Sequence, residues 1–127
     1  MSVKLDTFTA AYIECMLWCG VLAEDDNGEL TSDHDDSFDA DDIAPETMAE
    51  IIADCTVFQS TNRIDLVKMG DDSQAGHDFY LTRNGHGAGF WDRGLGALGD
   101  RLTAASKPYG SFSLYVGDDG KLYGING

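Results

Sequence analysis

Between Glu24 and Asp42 the chain places ten carboxylates in nineteen residues, with no lysine or arginine among them. They are Glu24, Asp25, Asp26, Glu29, Asp33, Asp35, Asp36, Asp39, Asp41 and Asp42. Carboxylate oxygens at that density can ligate a hard cation, or offer a row of negative charge to a surface built to hold phosphates. An EF-hand calcium loop needs oxygen ligands at alternate positions, a glycine at its sharp turn and an acid that closes it. A loop begun at Asp33 puts Phe38 at the turn and Ala44 at the close. One begun at Asp35 puts Ala40 at the turn and Pro45 beside the closing Glu46. Both registers break the geometry, so no dedicated metal site is expected, and a divalent-metal-stabilised domain ranks below the other readings. Duplex DNA carries roughly one charge per 1.7 Å of axis. A folded face dense in carboxylates imitates that array toward lysines and arginines that ordinarily hold phosphate. The ten acids are therefore the candidate partner-binding residues, and their solvated-loop role is the plain alternative.

A second stretch, residues 84–94, is rich in glycine and carries His86, Trp91 and Arg93. It is no phosphate cradle, since neither a Gly-Lys-Ser/Thr ending nor a dinucleotide-type spacing is present. His77, His86 and Asp92 match no standard metal-ligand spacing. Glycines that let a bulged strand turn explain most of it. Trp91 and Arg93 stand as secondary recognition candidates, with His86 beside them, because Trp and Arg dominate interface energetics. Cys15, Cys19 and Cys55 are read as helical, apolar and inert thiols. With no nucleophile elbow or metalloprotease motif either, a non-enzyme without cofactor or metal is expected.

Something must position these residues, and the charge is divided along the chain. Residues 1–62 hold 15 acids and one base, residues 63–127 hold 8 acids and 7 bases, and the whole carries a formal −15. Bulk electrostatics of that sign exclude direct attraction to nucleic acid or to an anionic membrane surface. No apolar run is long enough to span a bilayer, and Met1–Asp6 shows no apolar signal core, so a cytoplasmic protein is expected. A helix capped by Asp6 or Thr7 runs to about Cys19, with Phe8, Tyr12, Ile13, Met16 and Leu17 on one face and Gly20 as terminator. Asn27-Gly28 marks a turn within the acidic connection. Pro45 and Glu46 open a second helix that ends near Ser60, with Met48, Ile51, Ile52, Cys55 and Phe58 buried. Residues 78–83 read as a strand, Asn84-Gly85 as a hairpin turn and residues 86–91 as the returning strand. A third helix spans Leu95 to about Ala105, and residues 111–116 pair with residues 121–125 across Asp118-Asp119-Gly120. The expected fold is α+β, about three helices on one face of an antiparallel sheet of about four strands. It forms a single domain, 1–127: residues 1–62 acidic and mostly helical, residues 24–42 an acidic loop, residues 63–127 a hairpin–helix–hairpin half.

Two stretches together carry a resemblance. One is Phe8–Trp18 with Asp42–Gln59; the more specific is His77-Asp78-Phe79-Tyr80-Leu81-Thr82-Arg83-Asn84-Gly85-His86-Gly87-Ala88-Gly89-Phe90-Trp91-Asp92-Arg93-Gly94. Over nearly its whole length the chain resembles a family of small acidic proteins carried by bacteriophages and prophages, most of uncharacterised activity. The resemblance implies a phage origin and the cytoplasm of an infected bacterial host. By association it implies inhibition of host nucleic-acid-handling defence, of anti-CRISPR or antirestriction type. The expected partner is a host nucleic-acid-binding protein or complex. An accessory role in phage DNA metabolism, acting through the glycine-rich hairpin around Trp91, is the alternative.

Overall fold

The computed structural model describes residues 5–19, 21–31, 38–85 and 89–126. Helix α1 (Thr7–Cys19) starts where Asp6 accepts a hydrogen bond from the Thr9 amide at 2.8 Å, an N-cap that satisfies one orphan donor. It buries Phe8, Tyr12, Ile13, Cys15 and Met16. Helix α2 (Pro45–Thr61) takes its proline at the first turn and buries Thr47, Ile51, Cys55 and Phe58. Helix α3 (Arg63–Met69) stops at Gly70, whose φ of +72° is a left-handed cap that suits glycine. Asp71 then caps α4 (Asp72–Arg83) by accepting from the Gln74 amide. Helix α5 (Ala97–Ser106) follows.

An aromatic cluster holds these helices together. Phe58 stacks on Phe79 with ring centroids 4.1 Å apart, and Phe8, Tyr12, Phe90 and Tyr109 surround that pair. Such contacts add to the burial of their large apolar area. The strands form two antiparallel hairpins, β1 (Ala23–Glu24) with β2 (Leu30–Thr31), and β3 (Phe112–Val116) with β4 (Leu122–Asn126). Single parallel bridges, Leu22 to Tyr115 and Ile43 to Leu122, join neighbouring chain to the second hairpin.

The expected three helices on a four-stranded antiparallel sheet are therefore overturned: the described residues form five α-helices and two separate two-stranded sheets. The error centres on residues 78–83, which lie in α4 rather than in a strand. Ala75, Gly76 and every residue from Asp78 to Arg83 are buried. With polar Asp78, Thr82 and Arg83 buried beside the apolar residues, the helix carries no apolar stripe, and the 3.6-residue period that marks a surface helix is absent. Asn84-Gly85 is the end of that helix and no hairpin turn: the Asn84 side-chain amide donates to the Tyr80 carbonyl at 2.8 Å, and Gly85 has a φ of +69°. Of the proposed returning strand, residues 86–88 lie outside the described residues, and Phe90–Asp92 is a turn of 3₁₀ helix. The second half is thus not a hairpin–helix–hairpin. Helices α1, α2 and α5 and the β3–β4 hairpin stand close to where the sequence puts them, whereas α3 was not foreseen. Gly20 also lies outside the described residues.

Candidate functional site

The acidic segment is fastened at both described ends to one scaffold, the β3–β4 hairpin. On one side, Leu22 donates to the Leu114 carbonyl at 2.8 Å and accepts from the Val116 amide at 2.9 Å, which brings β1 alongside β3. On the other, the Ala44 amide donates to the Leu122 carbonyl at 2.9 Å, which brings the chain after Asp42 alongside β4. Several acids build the segment's own turns. Asp25 accepts from the amides of Asn27 and Glu29, and Gly28, at φ +78°, closes the tip. Asp39 accepts from the Asp41 amide while Asp42 accepts from the Asp39 amide, a reciprocal capping box around the 3₁₀ turn Ala40–Asp42. Glu24, Asp26, Glu29 and Asp41 are exposed, and none of them forms an ion pair among the described residues. Asp33, Asp35 and Asp36, and with them both calcium registers, lie outside the described residues. Among the described residues no group of three or more metal-ligating side chains occurs.

Between the two hairpins runs an open cleft of about 890 Å³, bordered by Glu24, Leu30, Tyr115, Asp118, Asp119 and Tyr123. Phe112, Leu114 and Leu122 point into the core, so alternation along the strands turns Tyr115 and Tyr123 outward. These tyrosines face each other across the ladder, ring centroids 5.9 Å apart and planes at 34°. The Tyr123 hydroxyl donates to Asp119 at 2.6 Å, and the Lys121 amide donates to the other oxygen at 3.0 Å. Those bonds hold the Asp119 carboxyl below the usual carboxylate range, and the same carboxylate pushes the Tyr123 phenol up to about 12. Near neutral pH the pair is a charged acceptor and a neutral donor. The Tyr123→Phe variant is therefore expected to raise the Asp119 pKa toward its ordinary value, as read by a carbon-detected NMR titration; an unmoved Asp119 would show that the hydroxyl is not its anchor. Gly117 completes the floor, since a Cβ there would meet the Tyr123 ring at 2.5 Å.

The secondary candidates divide differently. His86 lies outside the described residues. Trp91 is 50 % exposed on the 3₁₀ turn. Arg93 grips Asp78, with Nη2 2.8 Å from Oδ1 and Nε 3.1 Å from each oxygen; the Asp78 side chain is fully buried. That bidentate pair pins the turn after Phe90 onto α4 and keeps the guanidinium occupied within the fold. Of the cysteines, Cys15 and Cys55 are buried as expected, but Cys19 is exposed, because it ends α1 on its outer side. Burial pushes the Cys55 thiol up to about 12 and raises that of Cys15 as well, with the neighbouring Cys19 adding to the effect. Neither buried thiol is a ready nucleophile.

The sequence reading missed Tyr115, Asp118, Asp119 and Tyr123 as site residues. The signal was in the register: with Phe112 and Leu114 inward, Tyr115 must face out, and a turn of Asp118-Asp119-Gly120 places acids beside it. Trp18, 86 % exposed, borders a separate hollow with Leu17, Phe38 and His77. No helix among the described residues is long and apolar enough to cross a membrane. No family model matches the chain, and the searches of curated proteins and of solved structures found no significant match.

Proposed function

We propose that the protein is a phage-encoded, non-enzymatic inhibitor that binds a nucleic-acid-handling defence protein of the host, of anti-CRISPR or antirestriction type. Its carboxylates take the place of phosphates on lysines and arginines of that partner. One observation carries the reading. The three ion pairs among the described residues are Arg83–Asp54, Arg93–Asp78 and Arg101–Asp65, and none draws on the acidic segment. The exposed carboxylates described in that segment, among them Glu24, Asp26, Glu29 and Asp41, have no ion pair among the described residues and sit on turns closed by Asp25, Asp39 and Asp42. Charge left in that state costs folding stability through self-repulsion, and a cationic partner relieves it.

The test is capture from bacterial lysate at low and raised salt, with a variant in which Asp33, Asp35, Asp36, Asp39, Asp41 and Asp42 are changed together to Asn. The amide oxygens preserve the acceptors that Asp39 and Asp42 supply to their turn, so the variant is expected to fold. The wild type is expected to retain a nucleic-acid-binding protein, to release it to short duplex DNA, and to lose at least about tenfold in affinity between about 0.05 and about 0.2 M salt. The folded variant is expected to retain none. Undiminished capture or inhibition by that variant overturns the proposal. The accessory-protein alternative requires Trp91→Ala to abolish function, whereas inhibition through the acidic face leaves that variant active.

A further inference from the structure

On the outward face of the β3–β4 hairpin, negative charge, aromatic surface and a concave shape coincide. We infer that the cleft between the two hairpins is a receptor for an arginine side chain of the partner protein. Its guanidinium stacks on the Tyr115 and Tyr123 rings while Glu24 and Asp118 accept its N–H groups at the rim. This rests on the proposed function and narrows it, from a diffuse match of charge to a defined seat for one residue type.

Four features support that occupant. The faces of two outward tyrosines offer the negative ring potential that attracts a cation. Glu24 and Asp118 are exposed carboxylates without a cationic partner among the described residues, and Lys121, though on the same hairpin, does not border the cleft. Leu30, 46 % exposed on the opposite wall, provides apolar surface for the methylene stem of a long basic side chain. The floor is also set in advance. Tyr123 is tied through its hydroxyl to Asp119 and its ring fits over Gly117, where any larger residue would displace it. A floor ordered before the ligand arrives loses less freedom on binding. Guanidinium suits the site better than ammonium because it is planar, stacks flat and still donates sideways to two carboxylates.

The probe is a capped Gly-Arg-Gly peptide added to the isotopically labelled full chain and followed by NMR, with Gly-Lys-Gly and Gly-citrulline-Gly alongside. Saturable shifts are expected at Tyr115, Gly117 and Tyr123, with the citrulline peptide at least about tenfold weaker and the lysine peptide about threefold weaker. The Glu24→Gln/Asp118→Asn double variant changes exposed groups to near-isosteres, so its folding is not at issue. It is expected to weaken the arginine peptide at least about fivefold. Shifts scattered over acidic residues outside the cleft, equal binding of lysine and arginine, or an unaffected double variant would each overturn the inference. Those outcomes leave the salt-dependent capture through residues 33–42 standing, because the double variant shares no residue with the six-Asp variant. The two failures are thereby separate.

Discussion

Replacing Arg83 with alanine is expected to destabilise the protein by about 3–5 kcal/mol, the range for removing one partner of a buried charged network. The Arg83 side chain is 1 % exposed and Asp54, its carboxylate partner at 3.0 Å, is 28 % exposed. Its five-donor fork is used almost in full. Nη1 donates to the Tyr12 hydroxyl at 2.9 Å and to Asp54, Nε to the Gly110 carbonyl at 2.8 Å, and Nη2 to the Tyr109 carbonyl at 2.9 Å. The same group lies 5.4–5.6 Å from the ring centroids of Phe79, Tyr109 and Phe112. Four structural units, α1, α2, α4 and the segment leading into β3, thus meet on one side chain. Alanine leaves Tyr12 and two carbonyls without their donor and opens a void among aromatic rings. Burial already pushes the Tyr12 phenol up, so it stays neutral and cannot replace the lost charge. Arg83→Lys is expected to recover only part of the loss, since one ammonium cannot span acceptors on three elements. Urea unfolding followed by circular dichroism reads both variants. An alanine variant within about 1 kcal/mol of wild type would mean that the network contributes no more than an average hydrogen bond.

Arg83 also shows where the sequence was legible and where it was not. Helix α1 could be read because its cap, its apolar spacing and its length all agree, and β3–β4 because alternating residues flank a clear turn. Helix α4 could not, since its buried residues include the polar Asp78, Thr82 and Arg83 and so trace no apolar stripe, and aromatic residues followed by Asn-Gly favour the hairpin reading. Its asparagine in fact joins elements from the helix end: Asn84 accepts from the Phe112 amide at 2.9 Å. Helix α3 was hidden for the opposite reason. Ile64 and Val67 face solvent at 73 % and 72 % exposure, leaving Leu66 as its buried residue, so its apolar residues mark no inward stripe. The acids of the candidate site were visible as composition. What the sequence could not reveal is which of them fold the loop, as Asp25, Asp39 and Asp42 do, and which face outward. The cleft was invisible because it depends on Leu22 pairing with Tyr115, a contact between distant parts of the chain.

Gly76→Ala tests the structure against local propensity, because the two give opposite signs. In an isolated helix alanine is favoured over glycine by about 1 kcal/mol, and Gly76 lies inside α4. In the folded protein a Cβ at Gly76 would sit 2.0 Å from the Phe8 carbonyl oxygen and 2.9 Å from its carbon. Those are backbone atoms of α1, so no side-chain rotation relieves the clash and the helices must separate. Overpacking of this kind is expected to cost roughly 3 kcal/mol, the upper end of the usual range. The cost also extends beyond the contact, because the Phe8 ring centroid lies 5.9 Å from those of both Phe58 and Phe79. Moving α1 away from α4 loosens that cluster and shifts the chain that leaves α1 toward Leu22, whose pairing with β3 forms one wall of the cleft. Gly76→Ala is therefore expected to lower the denaturant midpoint and to weaken the arginine peptide in the same preparation. Gly70→Ala serves as the comparison, since its cost arises from a φ of +72° while the added carbon would meet nothing closer than the Val67 carbonyl oxygen at 3.9 Å. That variant is expected to lose a smaller amount, of order 1 kcal/mol, and to leave the cleft intact. A raised midpoint for Gly76→Ala would place α1 and α4 farther apart than the Phe8–Gly76 contact requires.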